Sequence, residues 1–185
     1  MITTVLTIVF VIVIPGVVLY NRLIRSRNRV DTAWSDIDVQ LQRRHDLIPR
    51  LVTAVDQYAK YERATLEAIT ELRAEAMRET DVDARGEAEE KLTEGVARLI
   101  ALAENYPDLK ASQNFIQLQR SLNEVEEQIS AARRAYNAAV TDYNNAVEML
   151  PTSIIAAIIG YKMKKVFEIS EEQRQDIDTE KLFSS

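Results

Sequence analysis

The chain opens on twenty residues without a charged side chain and follows them with four arginines, Arg22, Arg25, Arg27 and Arg29. An apolar helix of about 20 residues rises roughly 30 Å, the thickness of a bilayer's hydrocarbon core. The pattern predicts a transmembrane anchor over residues 1–20 and a basic juxtamembrane segment over 21–29. No Lys or Arg precedes the run and no small-x-small cleavage site follows it, which favours an uncleaved anchor over a signal peptide. Because the arginines lie only on the C-terminal flank, the positive-inside rule places residues 21–185 in the cytoplasm and the N-terminus outside.

From residue 30 the apolar positions advance by alternating steps of three and four, the spacing of a bundle face. One seam runs Trp34, Ile37, Leu41, Ile48, Leu51, Val55, Tyr58, Ile69 and Leu72, interrupted by Arg44 and Glu62. It predicts a first helix over residues 30–77, kinked near Arg44 and His45 by Pro49. The segment Glu79-Thr80-Asp81-Val82-Asp83-Ala84-Arg85-Gly86 is a break, with Thr80 or Asp83 as cap. A second helix is expected from Ala84 or Glu87 to Asn105, with Leu92, Val96, Leu99 and Ala103 along one stripe. Pro107 ends it. The third helix is the cleanest signal: Phe115, Leu122, Ile129, Tyr136, Tyr143 and Leu150 recur every seven residues, with Leu118, Val125, Ala132, Ala139 and Ala146 at the alternate core position.

Residues 153–167 carry Ile154, Ile155, Ile158, Ile159, Tyr161, Val166 and Phe167, a run too short to span a bilayer. It can close the bundle as a fourth helix or lie at a membrane interface with Lys162, Lys164 and Lys165 toward headgroups. Chain parity favours closure, since helices leaving, returning and leaving again would put residue 150 at the end far from the membrane. The expected fold is therefore all-α. A single N-terminal transmembrane helix continues as one rod into an antiparallel up-and-down four-helix bundle over residues 30–168, and an acidic flexible tail covers 169–185.

Charge sharpens this. Nineteen basic against 29 acidic side chains follow residue 29, a balance of −10. So acidic a body is a poor nucleic-acid binder, because that affinity comes mainly from phosphate neutralisation. The arginines can instead meet anionic lipid headgroups. The absence of cysteine excludes disulfides, thiolate zinc sites and thiol nucleophiles.

The densest polar cluster is Arg43, Arg44, His45 and Asp46. His45 is the single histidine, so no His-pair metal site exists, and Asp46 as its neighbour points elsewhere on a helix. A Glu-x-x-His di-metal motif is excluded because Gln42 stands three residues before it. Structurally the cluster reads as half-exposed residues beside a proline kink; functionally, as a patch for self-assembly or partner docking. Asn137 and Asn144 flank the tyrosine seam. They either satisfy neighbouring groups or fix register between subunits, as a buried Asn can in coiled coils. No phosphate loop, nucleophile elbow or metal-ligand spacing occurs, so neither an enzyme nor a cofactor is expected.

The segments Tyr20-Asn21-Arg22-Leu23, Arg27-Asn28-Arg29-Val30-Asp31-Thr32-Ala33-Trp34 and Asp38-Val39-Gln40-Leu41-Gln42-Arg43-Arg44-His45-Asp46-Leu47-Ile48-Pro49 resemble the LemA family. So do Tyr106-Pro107-Asp108-Leu109-Lys110-Ala111, Ala132-Arg133-Arg134-Ala135-Tyr136-Asn137 and Asp142-Tyr143-Asn144. The resemblance implies a bacterial membrane protein with one N-terminal anchor, a four-helix body and no catalytic residues to carry over. One branch of that family is associated with organelle-membrane formation. The expected function is a non-enzymatic scaffold of the bacterial inner membrane that self-associates and shapes membrane or recruits partners. The alternative is a regulatory adaptor for another membrane protein. The expected partners are the lipid bilayer, further copies of the chain and a membrane protein.

Overall fold

The computed structural model describes Ile2, Phe10 and residues 13–167. Its helices are α1 (Ile14–Asp56), α2 (Arg63–Ala76), α3 (Val82–Ala103), α4 (Pro107–Lys110), α5 (Gln113–Glu148) and α6 (Thr152–Ile159). The all-α class holds. The transmembrane helix does not: among the described residues no helix is long and apolar enough to cross a membrane. α1 takes up only residues 14–20 of the apolar run and then carries Arg22, Arg25, Arg27 and Arg29. Half of the expected anchor, and all of the expected tail, lie outside the described residues.

A spine of two antiparallel helices organises the rest. Along α1, Leu23, Val30, Ile37 and Leu51 recur at multiples of seven and are all buried, as are Leu41, Ile48 and Val55. Along α5 the heptad residues Phe115, Leu122, Ile129, Tyr136 and Tyr143 are buried in turn. Two helices with matching heptads bury a continuous seam by knobs-into-holes packing. With 43 residues, α1 extends about 64 Å. It runs unbroken through Pro49.

The expected first helix ends early. α1 stops at Asp56, and α2 folds back on it, with Arg73 Nε donating to the His45 carbonyl at 2.7 Å. The reason lies in the partner helix. α5 begins beside this end, where Asn114 and Gln57 line one groove. A rod continued past residue 57 would leave Leu66, Ile69 and Ala76 in water; the reversal buries them against Ile48, Leu51, Val55 and α3.

α3 is capped by Asp81, whose side chain accepts from the amides of Asp83 and Ala84 at 3.0 and 3.3 Å. α2 and α3 approach closely at Gly95, where an added Cβ would meet Leu72 Cδ1 at 2.9 Å. That atom is the free end of a leucine, so Gly95→Ala is expected to stay within about 1 kcal/mol of wild type, its clash offset by helix propensity. Gly95→Leu should cost about 1–3 kcal/mol by overpacking. Thermal unfolding distinguishes the two.

The extra reversal changes which end α5 reaches. α1 leads away, α2 returns, α3 leads away and α5 returns. Met149, Leu150 and Pro151 therefore line a cleft with Val18, Leu19 and Arg22, at the end where α1 begins. Residue 150 is not at the far end. The expected fourth helix is also shorter: α6 stops at Ile159, and Gly160 takes the left-handed conformation (φ 72°) that ends it. Residues 161–167 then run as a non-helical strap between α1 and α5.

Two apolar clusters result. One joins the C-terminal half of α1, α2, α3 and the start of α5. The other joins the N-terminal half of α1, the end of α5, α6 and the strap.

Candidate functional site

Arg44 occupies the position between Ile37 and Leu51 in the α1 heptad, and no part of it is exposed. It lies at the boundary of the two apolar clusters. Burying a charge there is costly unless it is paired and hydrogen-bonded. Three partners do this. Nη2 donates to the fully buried carboxylate of Glu89 on α3 and to the Glu89 carbonyl at 3.2 Å. Nη1 donates to Thr93 Oγ1 at 2.7 Å and to Glu126 Oε1 of α5 at 2.9 Å. One guanidinium thus ties α1, α3 and α5 at a single level.

His45 is buried beside it, with Nε2 at 3.0 Å from Glu89 Oε1. Burial, followed by the charges of Arg44, Arg73 and Arg85, lowers its pKa to about 4, with Asp46 opposing. At neutral pH the imidazole is uncharged. The unfolded chain takes up a proton near pH 6.5 that the folded chain refuses until about pH 4. Stability is therefore expected to be complete above pH 6.5 and to fall as pH drops through this window, by up to about 3 kcal/mol. The Glu89 carboxylate 3.0 Å away favours the protonated ring, which sets this as an upper bound. Urea midpoints of wild type and His45→Gln between pH 7 and 5 test it: equal slopes would remove the histidine as the cause.

A second constellation lies on α5. Asn137 Nδ2 donates to the Phe167 carbonyl at 2.9 Å and its Oδ1 accepts from the Phe167 amide at 2.7 Å. Asn144 does the same to Lys164, at 2.8 and 2.9 Å. The preceding tyrosines join in: Tyr136 donates to the Lys165 carbonyl at 3.1 Å, Tyr143 to the Lys162 carbonyl at 2.9 Å. Burial pushes both phenols above their usual pKa, which keeps them protonated donors. The register has a simple origin. Seven residues of helix rise about 10.5 Å, and three residues of extended chain span about 10 Å. A Tyr-Asn pair repeated every heptad therefore meets every third strap residue.

Side chains finish the clamp. Phe167 packs on Trp34 with ring centroids 6.3 Å apart, and Arg133 lies 4.5 Å over the Phe167 ring. Lys164 Nζ reaches Asp31 at 2.5 Å, Lys165 pairs with Asp83, and Arg27 donates to the Tyr161 hydroxyl at 2.8 Å.

The residues singled out from the sequence thus divide. Arg44 and His45 are buried, not half-exposed, while Arg43 and Asp46 face outward. Asn137 and Asn144 hold a segment of their own chain. Arg22, Arg25, Arg27 and Arg29 are exposed at one end, and three of them line a cleft of about 640 Å³ with Asp142 and Asn145. Glu89, Thr93, Glu126 and the strap carbonyls that accept from both tyrosines were not anticipated. A signal for Glu89 existed, since it shares its heptad position with Val96 and Ala103 on an otherwise apolar stripe. Among the described residues no group of three or more His, Asp or Glu side chains could hold a metal ion.

The molecule is a helical-spine protein whose polar motifs clamp its own chain. A family model for the LemA family matches residues 33–180, and this chain belongs to that family. It is 30% identical over 164 residues to "Protein LemA" of Metamycoplasma hominis, covering 88% of this chain and 74% of that protein. It is also 24% identical over 190 residues to "Magnetosome protein MamQ 2" of Paramagnetospirillum magneticum and 23% identical to "Magnetosome protein MamQ" of Magnetospirillum gryphiswaldense. Each of these alignments covers 89% of this chain and 70% of the relative. None of these names states an enzymatic activity.

Proposed function

We propose that this chain is a non-enzymatic structural protein of the bacterial cytoplasmic membrane, with its basic end against the inner face and its bundle presented for self-association. The observation that carries this reading is the segregation of charge. Four exposed arginines cluster at the end where α1 begins and α5 finishes, while the rest of the chain is acidic. An anionic leaflet attracts such a cluster at about 1 kcal/mol per arginine. The names of the magnetosome relatives support a role at an organelle or its membrane. The polar groups singled out in the core and on α5, Arg44, His45, Asn137 and Asn144, are engaged within the fold, which supports a structural role over a catalytic one. Flotation of the full-length protein with anionic vesicles and light scattering in detergent test the two parts. Loss of flotation sinks the membrane part; a strict monomer sinks the assembly part.

The adaptor reading rests on a different observation. Arg43 and Asp46 are exposed on α1, beside the groove formed by Leu47, Pro49 and Arg50 with Asn114 and Gln117 of α5. Crosslinking from an Arg43→Cys variant should then recover one stoichiometric partner. Recovery of no partner argues against this reading.

A further inference from the structure

α6 is apolar on both of its sides. Ile155 and Ile159 pack into the core, yet Ile154 and Ile158, one turn apart, are 57% and 77% exposed. The turn before it adds Met149 and Leu150, exposed at 62% and 75%. These two residues share their cleft with Val18, Arg22, Arg25 and Arg29. A monomeric soluble protein rarely shows a contiguous apolar patch of this kind unless the patch has a partner.

The charge around the patch selects the partner. Its rim is cationic, with Asp142 the one acid lining the cleft among the described residues. A second copy docking the same end on itself would bring two arginine clusters together, because a two-fold contact pairs like with like. A bilayer with anionic headgroups offers phosphates to the guanidinium groups and acyl chains to the isoleucines, the arrangement of an interfacial amphipathic helix. Lys164 and Lys165 lie on the strap, paired at the surface with Asp31 and Asp83, and do not line the cleft.

We infer that α6, with the Met149-Leu150 turn, lies in the interface of an anionic lipid bilayer beside the arginine cleft. This rests on the membrane reading above and deepens it. The fold brings the C-terminal apolar segment back to the basic end of α1, so a second, independent stretch of chain touches lipid there.

The test uses the full chain, which has no native cysteine. An environment-sensitive fluorophore is attached at Ile158→Cys and, as a control at the opposite end, at Tyr61→Cys, where the side chain is 99% exposed. With vesicles containing phosphatidylglycerol, emission from position 158 is expected to shift to the blue and be quenched by brominated acyl chains, while position 61 is unchanged. Ile154→Ser with Ile158→Ser should weaken vesicle binding by on the order of tenfold or more. Because both side chains are exposed, the thermal transition should be unaltered. Flotation with position 158 still water-exposed overturns this inference and leaves the membrane reading intact. No flotation overturns both. A blue shift without lipid that grows with protein concentration assigns the face to a second copy and overturns the lipid assignment.

Discussion

Replacing Glu89 by alanine is expected to destabilise the protein by about 3–5 kcal/mol, the cost of leaving a buried charge without its buried partner. Arg44 cannot follow the lost carboxylate into solvent, because it is wholly enclosed between the α1 seam, α3 and α5. Its remaining charged partner, Glu126, is partly exposed at 34% and shares its carboxylate with water. Thr93 supplies a neutral acceptor. The guanidinium would thus sit in the dry boundary between two apolar clusters with one incomplete counter-ion. The informative comparison is the double variant Arg44→Met with Glu89→Met. Removing both charges together is expected to return stability to near wild type or above it, as happens when apolar residues of similar volume replace a buried ion pair. Urea unfolding at pH 7 reads both variants. A Glu89→Ala cost below about 1 kcal/mol would mean that water reaches Arg44.

Removing both strap amides, Asn137→Ala with Asn144→Ala, should have the second-largest effect. Four hydrogen bonds to backbone are lost, at about 0.5–1.5 kcal/mol net each. Two amides and two carbonyls of the strap would be left unsatisfied against the spine. Undocking restores their hydration, so the effect should be local rather than global. Amide exchange over residues 161–167 is expected to rise by on the order of a hundredfold or more. Emission from Trp34, the single tryptophan, should shift red as Phe167 leaves it. The urea transition of the cluster that joins α2, α3 and the start of α5, around Leu92 and Leu99, should hardly move. Unchanged exchange at residues 164 and 167 would show that the tyrosine hydroxyls and Phe167 suffice.

Both predictions turn on residues whose importance was visible in the sequence only in part. Arg44 stood out as a charge in an apolar seam, but its answer, Glu89, lies 45 residues away on a helix whose partner was unknown. Two opposite charges, each interrupting an apolar stripe, were compatible with a buried pair. Only their juxtaposition made them one. Asn137 and Asn144 were legible as a heptad-spaced pair beside the tyrosine seam. The reading of them as satisfying neighbouring groups was nearer than the register device between subunits, for their partner is the backbone of residues 164 and 167. Backbone partners leave no trace in composition.

The α5 heptads, the cluster of arginines and the all-α class followed from the sequence by itself. Each rests on local periodicity or composition, which needs no knowledge of what lies across the chain. The reversal at residues 57–62 did not follow, because no glycine or proline marks it and the apolar period, broken only at Glu62, resumes in register beyond it. α5 begins beside residue 57, so a longer α1 would have had no partner there, and burial decided the turn. That one reversal inverted the direction of α5, brought Leu150 and α6 back beside Arg22, and turned an expected fourth helix into a short helix and a strap. Periodicity specifies which face of a helix is buried; only packing specifies against what, and at which end.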